Sequence, residues 1–245
     1  MVLIPLAGVV CGYFFCKMQN TELPQNILLL LHPYISKNMT RFFSFTFVFL
    51  ILAGVISGQN LDIRILRTIN LDRNKHWDKT MQFMSNSEAA VSIATPAIIL
   101  GVGLIKGDPQ IKSDGITIAS AFLLSSAMTT VLKYSVKRPR PFTTYPDIEK
   151  LSAGGSYSFP SGHTSSAFAT ATSLSLAYPK WYVIVPSFAW ASTVGYSRMH
   201  LGVHYPSDVL AGAIIGAASS YLCYKGQQWL NHRKKRKAEP VVAFY

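Results

Sequence analysis

Charge is what this chain is short of. Only 14% of its 245 residues are charged, against about a quarter in an ordinary soluble domain. Hydrophobic residues make up 49%, and the mean hydropathy is positive at +0.25. A surface so poor in charge suits a body solvated by lipid. Acidic residues are the scarcer sign, 11 against 23 Lys and Arg, for a net charge of +12. That excess raises nucleic acid as a partner, but its distribution argues against one. Five positives form the run Arg233 to Lys237, and the others stand mainly at the ends of apolar stretches, so no continuous basic face is built. Cysteine is scarce as well: Cys11, Cys16 and Cys223 all sit in apolar surroundings, odd in number and without a Cys-x-x-Cys pair. That excludes a disulfide framework and a thiolate zinc site, and leaves three small buried hydrophobes. Internal repeats and low-complexity segments are absent.

What the chain does have is a series of apolar stretches, at 42–57, 89–105, 116–132, 161–178, 181–197 and 209–224. With their flanks counted, most approach the roughly 20 residues of a spanning helix. Several are rich in small residues that let membrane helices approach closely, as in Ala167-Phe168-Ala169-Thr170-Ala171-Thr172 and Ala211-Gly212-Ala213. The expected fold is all-α, an integral-membrane bundle of six helices. A soluble protein with buried helices is disfavoured by the lack of long polar faces. Lys37, Arg41, Lys106, Lys112, Lys180 and the Arg233–Lys237 run then fall on one face, the cytoplasmic one by the usual excess of Lys and Arg there. Segment 58–88 runs against this rule, carrying Arg64, Arg67, Arg73, Lys75 and Lys79 on the outer side, but also Asp62, Asp72, Asp78 and Glu88. Its pattern of Ile63, Leu66, Ile69 and Leu71 predicts an interfacial helical segment packed over the bundle. The expected organisation is an N-terminal extension at 1–38, a membrane domain at 39–230 and a basic, disordered cytoplasmic tail at 231–245. Residues 42–58 also resemble a signal peptide, with Ser57 and Gly58 as small residues at its end; cleaved or not, the segment leaves Gln59 outside.

Three polar clusters interrupt the oily chain where apolar segments begin or end. They are Lys133 with Arg140-Pro141, then Pro160-Ser161-Gly162-His163, then Ser197-Arg198 with His204 and Asp208. In the six-span layout all three fall on the outer face. Three cations, two imidazoles and a carboxylate suit holding a phosphate, attacking it and protonating what leaves. Pro160 is expected in the first turn of a helix, whose unpaired N–H groups make an anion site. Gly162 lets a phosphate approach the backbone, and His163 stands at the mouth. His204 and Asp208 are four residues apart, with Pro206 starting a helix between them. From the first turn Asp208 can reach back to a ring nitrogen of His204, fix its tautomer and leave the other nitrogen free to attack. Arginine grips phosphate bidentately and lysine supplies a compact charge, roles open to Arg140, Arg198 and Lys133. Lys137 and Arg138 are read as a basic collar or lipid head-group contacts. The loop 151–157, with Gly154 and Gly155, is expected to be loose enough to gate lateral entry. His163, His204 and Asp208 are also possible metal ligands, but three converging cations would repel a divalent ion. No metal and no cofactor is expected.

In order and spacing the three clusters resemble the signature of the type 2 phosphatidic acid phosphatase superfamily, which is shared with vanadium-dependent haloperoxidases and glucose-6-phosphatase. The likeness covers about 133–208 in its motifs and 42–224 in its layout, with no substitution at a signature position. It implies that His204 is the nucleophile forming a phosphohistidine and that Asp208 orients it. It implies that His163 protonates the leaving oxygen and then activates water. It also implies that Lys133, Arg140 and Arg198 bind the phosphoryl oxygens with Ser161 and the Gly162 N–H, and that no metal takes part.

The leading expectation is an integral-membrane, metal-independent lipid phosphatase, sited in a bacterial inner membrane with its site facing the periplasm. Its partners are the bilayer and a phosphorylated lipid of the undecaprenyl diphosphate, phosphatidic acid, phosphatidylglycerol phosphate or lipid A type, with oligomeric state left open. The alternatives are a vanadate-dependent haloperoxidase-like enzyme, disfavoured by the hydrophobic spans, and a non-catalytic lipid-binding or transport protein.

Overall fold

The computed structural model describes residues 60–238, with side chains through Arg233. The expected extension 1–38, the apolar stretch 42–57 and its signal-peptide alternative lie outside the described residues. Among the described residues the chain is helical with no strand. Helix α1 covers 60–70, and a 3-10 turn follows at Lys75–Trp77. Then come α2 (Asp78–Lys106), α3 (Pro109–Val136), the single turn α4 (Pro141–Thr144), α5 (Gly162–Ala177), α6 (Trp181–His200) and α7 (Pro206–Ala238).

Local sequence sets these limits. Gly107 ends α2 at a φ of 66°, a left-handed conformation that glycine adopts without steric cost. One residue later the Asp108 carboxylate accepts from the Gln110 N–H at 2.8 Å and the Ile111 N–H at 3.2 Å, with Pro109 in the first turn. The two helices therefore fold back as a tight hairpin. The equally short links 178–180 and 201–205 return α6 and α7. The starts of α2, α5 and α7 and the ends of α3 and α6 consequently gather at one end of the bundle.

Helix α5 is the central element, packed against α7, α6, α3 and α2, while those four contact one another around it. Its composition permits this. Thr164, Ser165, Ala167, Ala169, Thr170, Ala171 and Ser173 are all buried, and side chains this small let backbones come close. The large apolar residues face outward instead: Ile105 is 88% exposed, and Phe83, Leu123, Val131 and Ile214 are exposed too. Segments Lys75–Lys106 and Pro109–Thr144 are long and apolar enough to cross a membrane.

Three expectations change. Helix α2 begins at Asp78, eleven residues before the apolar run at 89, because the polar stretch ahead of it is helical and turns Ser85 and Glu88 into the bundle. Pro160 lies before the helix rather than in its first turn; Ser161 is the cap and Gly162 the first helical residue. The tail expected to be disordered continues α7 as far as Ala238, where Lys and Arg are good helix formers and favour the negative end of the helix dipole. The amphipathic segment is helical, as α1. Its Ile63 and Leu66 pack with Ile148 and Tyr205, supported by Phe142, Tyr145 and Met199. Asn70 secures the joint, donating to the carbonyls of Glu149 at 3.1 Å and His200 at 2.9 Å and accepting from the Glu149 N–H at 2.9 Å.

Candidate active site

The turn between α6 and α7 carries His204, which is 2% exposed. Its two ring nitrogens face different partners. Nδ1 lies 3.5 Å from Asp208 Oδ2 and 3.5 Å from Ser158 Oγ. Nε2 lies 3.4 Å from Arg140 Nη1. Asp208, fully buried in the first turn of α7, is the most heavily bonded group of the site. Its Oδ2 accepts from Ser158 Oγ at 2.5 Å and from the Tyr205 N–H at 3.0 Å, and its Oδ1 accepts from Arg138 Nη1 at 2.7 Å. Burial pulls the His204 imidazole down to about 4, and Arg140 and Arg198 push the same way against the raising pull of Asp208. The ring is therefore neutral at neutral pH, the form that has a lone pair to give.

The cations converge from three elements. Lys133, in the last turn of α3, donates to the Tyr157 carbonyl at 2.7 Å, and its Cε lies 4.0 Å from where a Cβ on Gly162 would stand. Arg140 donates from Nε to the Ser156 carbonyl at 2.7 Å and from Nη1 to the Val203 carbonyl at 3.0 Å. Arg198, 2% exposed at the end of α6, donates to the hydroxyls of Ser85 and Ser152, while its Nε–H is buried without a partner. A buried guanidinium donor left over in this way suits an anion. His163, in the first turn of α5, stands within coulombic range of Arg198, His204, Arg140 and Lys133. Ser161 is buried; its N–H donates to the Asp208 carbonyl at 3.0 Å and its hydroxyl accepts from Thr164 at 2.9 Å. The Gly162 and His163 N–H groups remain as the opening donors of α5.

All eight residues singled out in the sequence thus sit at one end of the bundle. Others were missed. Ser158 and the Ser85 hydroxyl gave no sequence signal, being two serines among many. Glu88 is 7% exposed and within coulombic range of Arg198; the sequence places it in the interfacial segment 58–88, outside the bundle. Arg138 is no collar residue: it bridges Asp208 to Asp62 on α1, at 2.7 Å to each. Burial works against its charge, and the two carboxylates outweigh that and hold its pKa above the ordinary arginine value. The loop 151–157 is not loose either. Its 156 and 157 carbonyls are bonded by Arg140 and Lys133, and the Leu151 N–H donates to the Leu201 carbonyl at 3.1 Å. Among the described residues no three His, Cys, Asp or Glu side chains group as a metal cage.

Comparison with known proteins places this arrangement. The family model of the PAP2 superfamily matches residues 114–232. An undecaprenyl-diphosphatase of Sulfolobus acidocaldarius is 30% identical over 177 residues, covering 71% of this chain and 82% of that protein. The crystal structure of Aquifex aeolicus LpxE aligns with a TM-score of 0.60 at 28% identity, over 67% of this chain and 95% of that one. A transmembrane PAP2-type phosphatidylglycerolphosphate phosphatase from Bacillus subtilis aligns with the same TM-score and identity over 81% and 97%. With all three polar clusters inside the matched region and a relative shared over most of both chains, this chain belongs to the PAP2 superfamily.

Proposed function

We propose that the protein is an integral-membrane, metal-independent phosphatase that hydrolyses the phosphate monoester or diphosphate of a lipid at the extracytoplasmic face, through a phosphohistidine on His204. One observation carries the mechanism: the two nitrogens of a buried, neutral imidazole are committed to opposite tasks. Nδ1 faces the carboxylate held by Ser158, Tyr205 and Arg138, and Nε2 faces the guanidinium of Arg140.

The Nε2 lone pair forms the bond to phosphorus as the bond from phosphorus to the lipid oxygen breaks, and protonated His163 supplies a proton to that oxygen. Lys133, Arg140 and Arg198, with the first N–H groups of α5, offset the charge on the equatorial oxygens. Asp208 stabilises the positive ring that forms. Neutral His163 then takes a proton from water, the hydroxide attacks phosphorus, and the electron pair of the N–P bond returns to Nε2.

Placement in a membrane rests on the outward-facing large apolar residues, the small-residue interior and the two segments long enough to span. Loop charge supports the orientation, since the site lies at the bundle end opposite Lys106, Lys112, Lys180 and the basic run. A bacterial inner membrane with the site facing the periplasm fits that orientation, and a C-terminal reporter active in the periplasm would invert it. The substrate class follows the relatives, which are named for undecaprenyl diphosphate and phosphatidylglycerol phosphate; phosphatidic acid and lipid A phosphates complete the panel to test.

The deciding experiment measures phosphate release and acid-labile phosphoenzyme in purified variants. His204→Ala is expected to lose both. His163→Ala is expected to lose lipid turnover yet still form phosphoenzyme from an aryl phosphate, whose leaving group needs no proton. Retained turnover in His204→Ala overturns the nucleophile.

A further inference from the structure

The Asp208 carboxylate is held from behind by a charged chain that the three clusters do not contain. Arg138 donates from Nη1 to Asp208 Oδ1 at 2.7 Å and from Nη2 to Asp62 Oδ2 at 2.7 Å. Asp62 is 6% exposed on α1, outside the residues matched by the family model. It is bonded further by Ser207, through the N–H to Oδ1 at 2.9 Å and through the hydroxyl to Oδ2. Ser207 Oγ also lies 2.7 Å from Arg138 Nη1, and the guanidinium carbon stacks 3.9 Å from the Tyr205 ring centroid. The fork is thus fixed on three sides: a carboxylate at each end and an aromatic face beneath.

From this geometry we infer that Asp62 and Arg138 are positioning residues, which fix the Asp208 carboxylate so that its other oxygen presents to His204. The inference rests on His204 being the nucleophile. Its physical basis is a division of labour between the two oxygens of Asp208. Oδ1 is taken by Arg138, leaving Oδ2 for Ser158, the Tyr205 N–H and the imidazole. Without Arg138 the carboxylate can rotate about its own axis, and a buried charge loses its counter-ion. Without Asp62 the guanidinium loses its second anchor and is free to swing toward the cavity of about 500 Å³ that it lines with Tyr134, Arg140, Phe142 and Tyr157. Arginine is required because only its planar fork bridges two carboxylates at once.

That cavity sets up the rival role, in which Arg138 touches the lipid head group directly. The two roles separate in kinetics. A positioning residue lowers kcat with KM unchanged, whereas a direct substrate contact raises KM. Partners that orient a metal-ligating histidine or carboxylate matter by about 10–100-fold, and the same order is taken for a carboxylate that orients a nucleophilic histidine. Arg138→Ala and Arg138→Lys are therefore expected to lower kcat and the rate of phosphoenzyme formation by that factor. KM and inhibition by inorganic phosphate should stay within about threefold, because Lys133, Arg140 and Arg198 remain in place. Added guanidinium should partly restore Arg138→Ala. Asp62→Asn keeps the shape and removes the charge; it is expected to lower kcat less, and to add nothing further in the Arg138→Lys background, since residues acting through one chain are not additive.

Unchanged kcat in either Arg138 variant or in Asp62→Asn overturns the inference, as does a raised KM or a fully additive double variant. If Arg138→Ala does not fold, Asp62→Asn and Arg138→Lys carry the test. His204→Ala run alongside separates the two failures. Turnover in that variant sinks the nucleophile, while an inactive His204→Ala beside a fully active Arg138→Lys sinks only the positioning chain.

Discussion

Gly216 sits where α7 crosses α5, and the contact there is backbone against backbone. A Cβ at this position would stand 2.2 Å from the Ser165 carbonyl oxygen, 2.7 Å from the Ala169 nitrogen and 3.1 Å from the Phe168 Cβ. Ordinary carbon-to-oxygen contact is about 3.3 Å, so Gly216→Ala must part the two helices by about 1 Å. Gly212, one turn earlier, is held as closely, with its Cβ position 2.6 Å from the Ser161 carbonyl oxygen, so the helices cannot pivot about that point. Overpacking of this kind costs about 1–3 kcal/mol. The same separation strains the bond from Ser220 to the Ala169 carbonyl, 2.8 Å across the interface, and the bond from the Ser161 N–H to the Asp208 carbonyl at 3.0 Å. The latter joins the helix carrying His163 to the helix carrying Asp208, so the damage reaches the site. A displacement of about 1 Å costs on the order of a hundredfold in rate, equivalent to about 2.7 kcal/mol of barrier. The assay pairs phosphate release in detergent micelles with thermal unfolding followed by tryptophan fluorescence. Gly226→Ala on the same helix is the control, since a Cβ there meets nothing within 4 Å, and it should be neutral or stabilising by about 0.5–1 kcal/mol. Gly216→Ala indistinguishable from Gly226→Ala in both measurements would refute the close-packing argument.

Gly154 lies against the Arg140 side chain, and a Cβ there would stand 2.9 Å from Nη1, the atom nearest His204 Nε2; Gly154→Ala should lower kcat/KM about tenfold with little change in melting temperature, and wild-type kinetics would show that the guanidinium moves aside freely. With His204 pulled down to about 4 by burial, the acid limb of phosphoenzyme formation should lie near pH 4, and a limb at the ordinary imidazole value of about 6.5 would place the nucleophile in a wetter setting. The same shift makes the unfolded chain bind a proton that the native state refuses between those two values, so this residue's contribution to stability should fall as pH drops from about 6.5 toward 4; stability rising over that window, with other groups held constant by comparison with His204→Gln, contradicts it. Turnover should persist in excess EDTA, and loss with recovery on adding Mg²⁺ would overturn the metal-free mechanism.

The fold was legible where helices show lipid-compatible side chains and illegible where they turn polar ones inward. The apolar runs located the middles of α2, α3, α5, α6 and α7. They missed the first three turns of α2 because Ser85 and Glu88, which read as part of an interfacial segment, face the interior, where Ser85 accepts from Arg198 and Glu88 lies within its coulombic range. Hydropathy counts composition and is blind to direction. A bundle whose interior is more polar than its rim reverses the inference usually drawn from a charged residue. The end of α7 failed for the opposite reason: a run of like charges suggests a solvated tail, yet Lys and Arg at a helix C-terminus extend it.

The cations at the site end of the bundle carry the remaining lesson. Positive-inside counting treats each Lys or Arg as a free charge, so Arg67 and Arg73 run against it, while Arg138 reads as a collar residue or lipid head-group contact. Each instead has a carboxylate partner brought from far along the chain. Arg67 pairs with Asp147 at 2.8 Å, Arg73 with Asp78 at 3.0 Å and with Glu149, and Arg138 with Asp62 and Asp208. The signature cations are placed differently, since Lys133 and Arg140 hydrogen-bond to carbonyls and Arg198 to hydroxyls. The division follows from what each must do. A group that holds the fold together needs its charge matched in the resting state, whereas the cations proposed to hold a phosphate are bonded only to neutral groups, which leaves their charge available to an anion. Spacing along the sequence reveals the second kind, because the ligand fixes their relative positions. Only the folded contacts reveal the first.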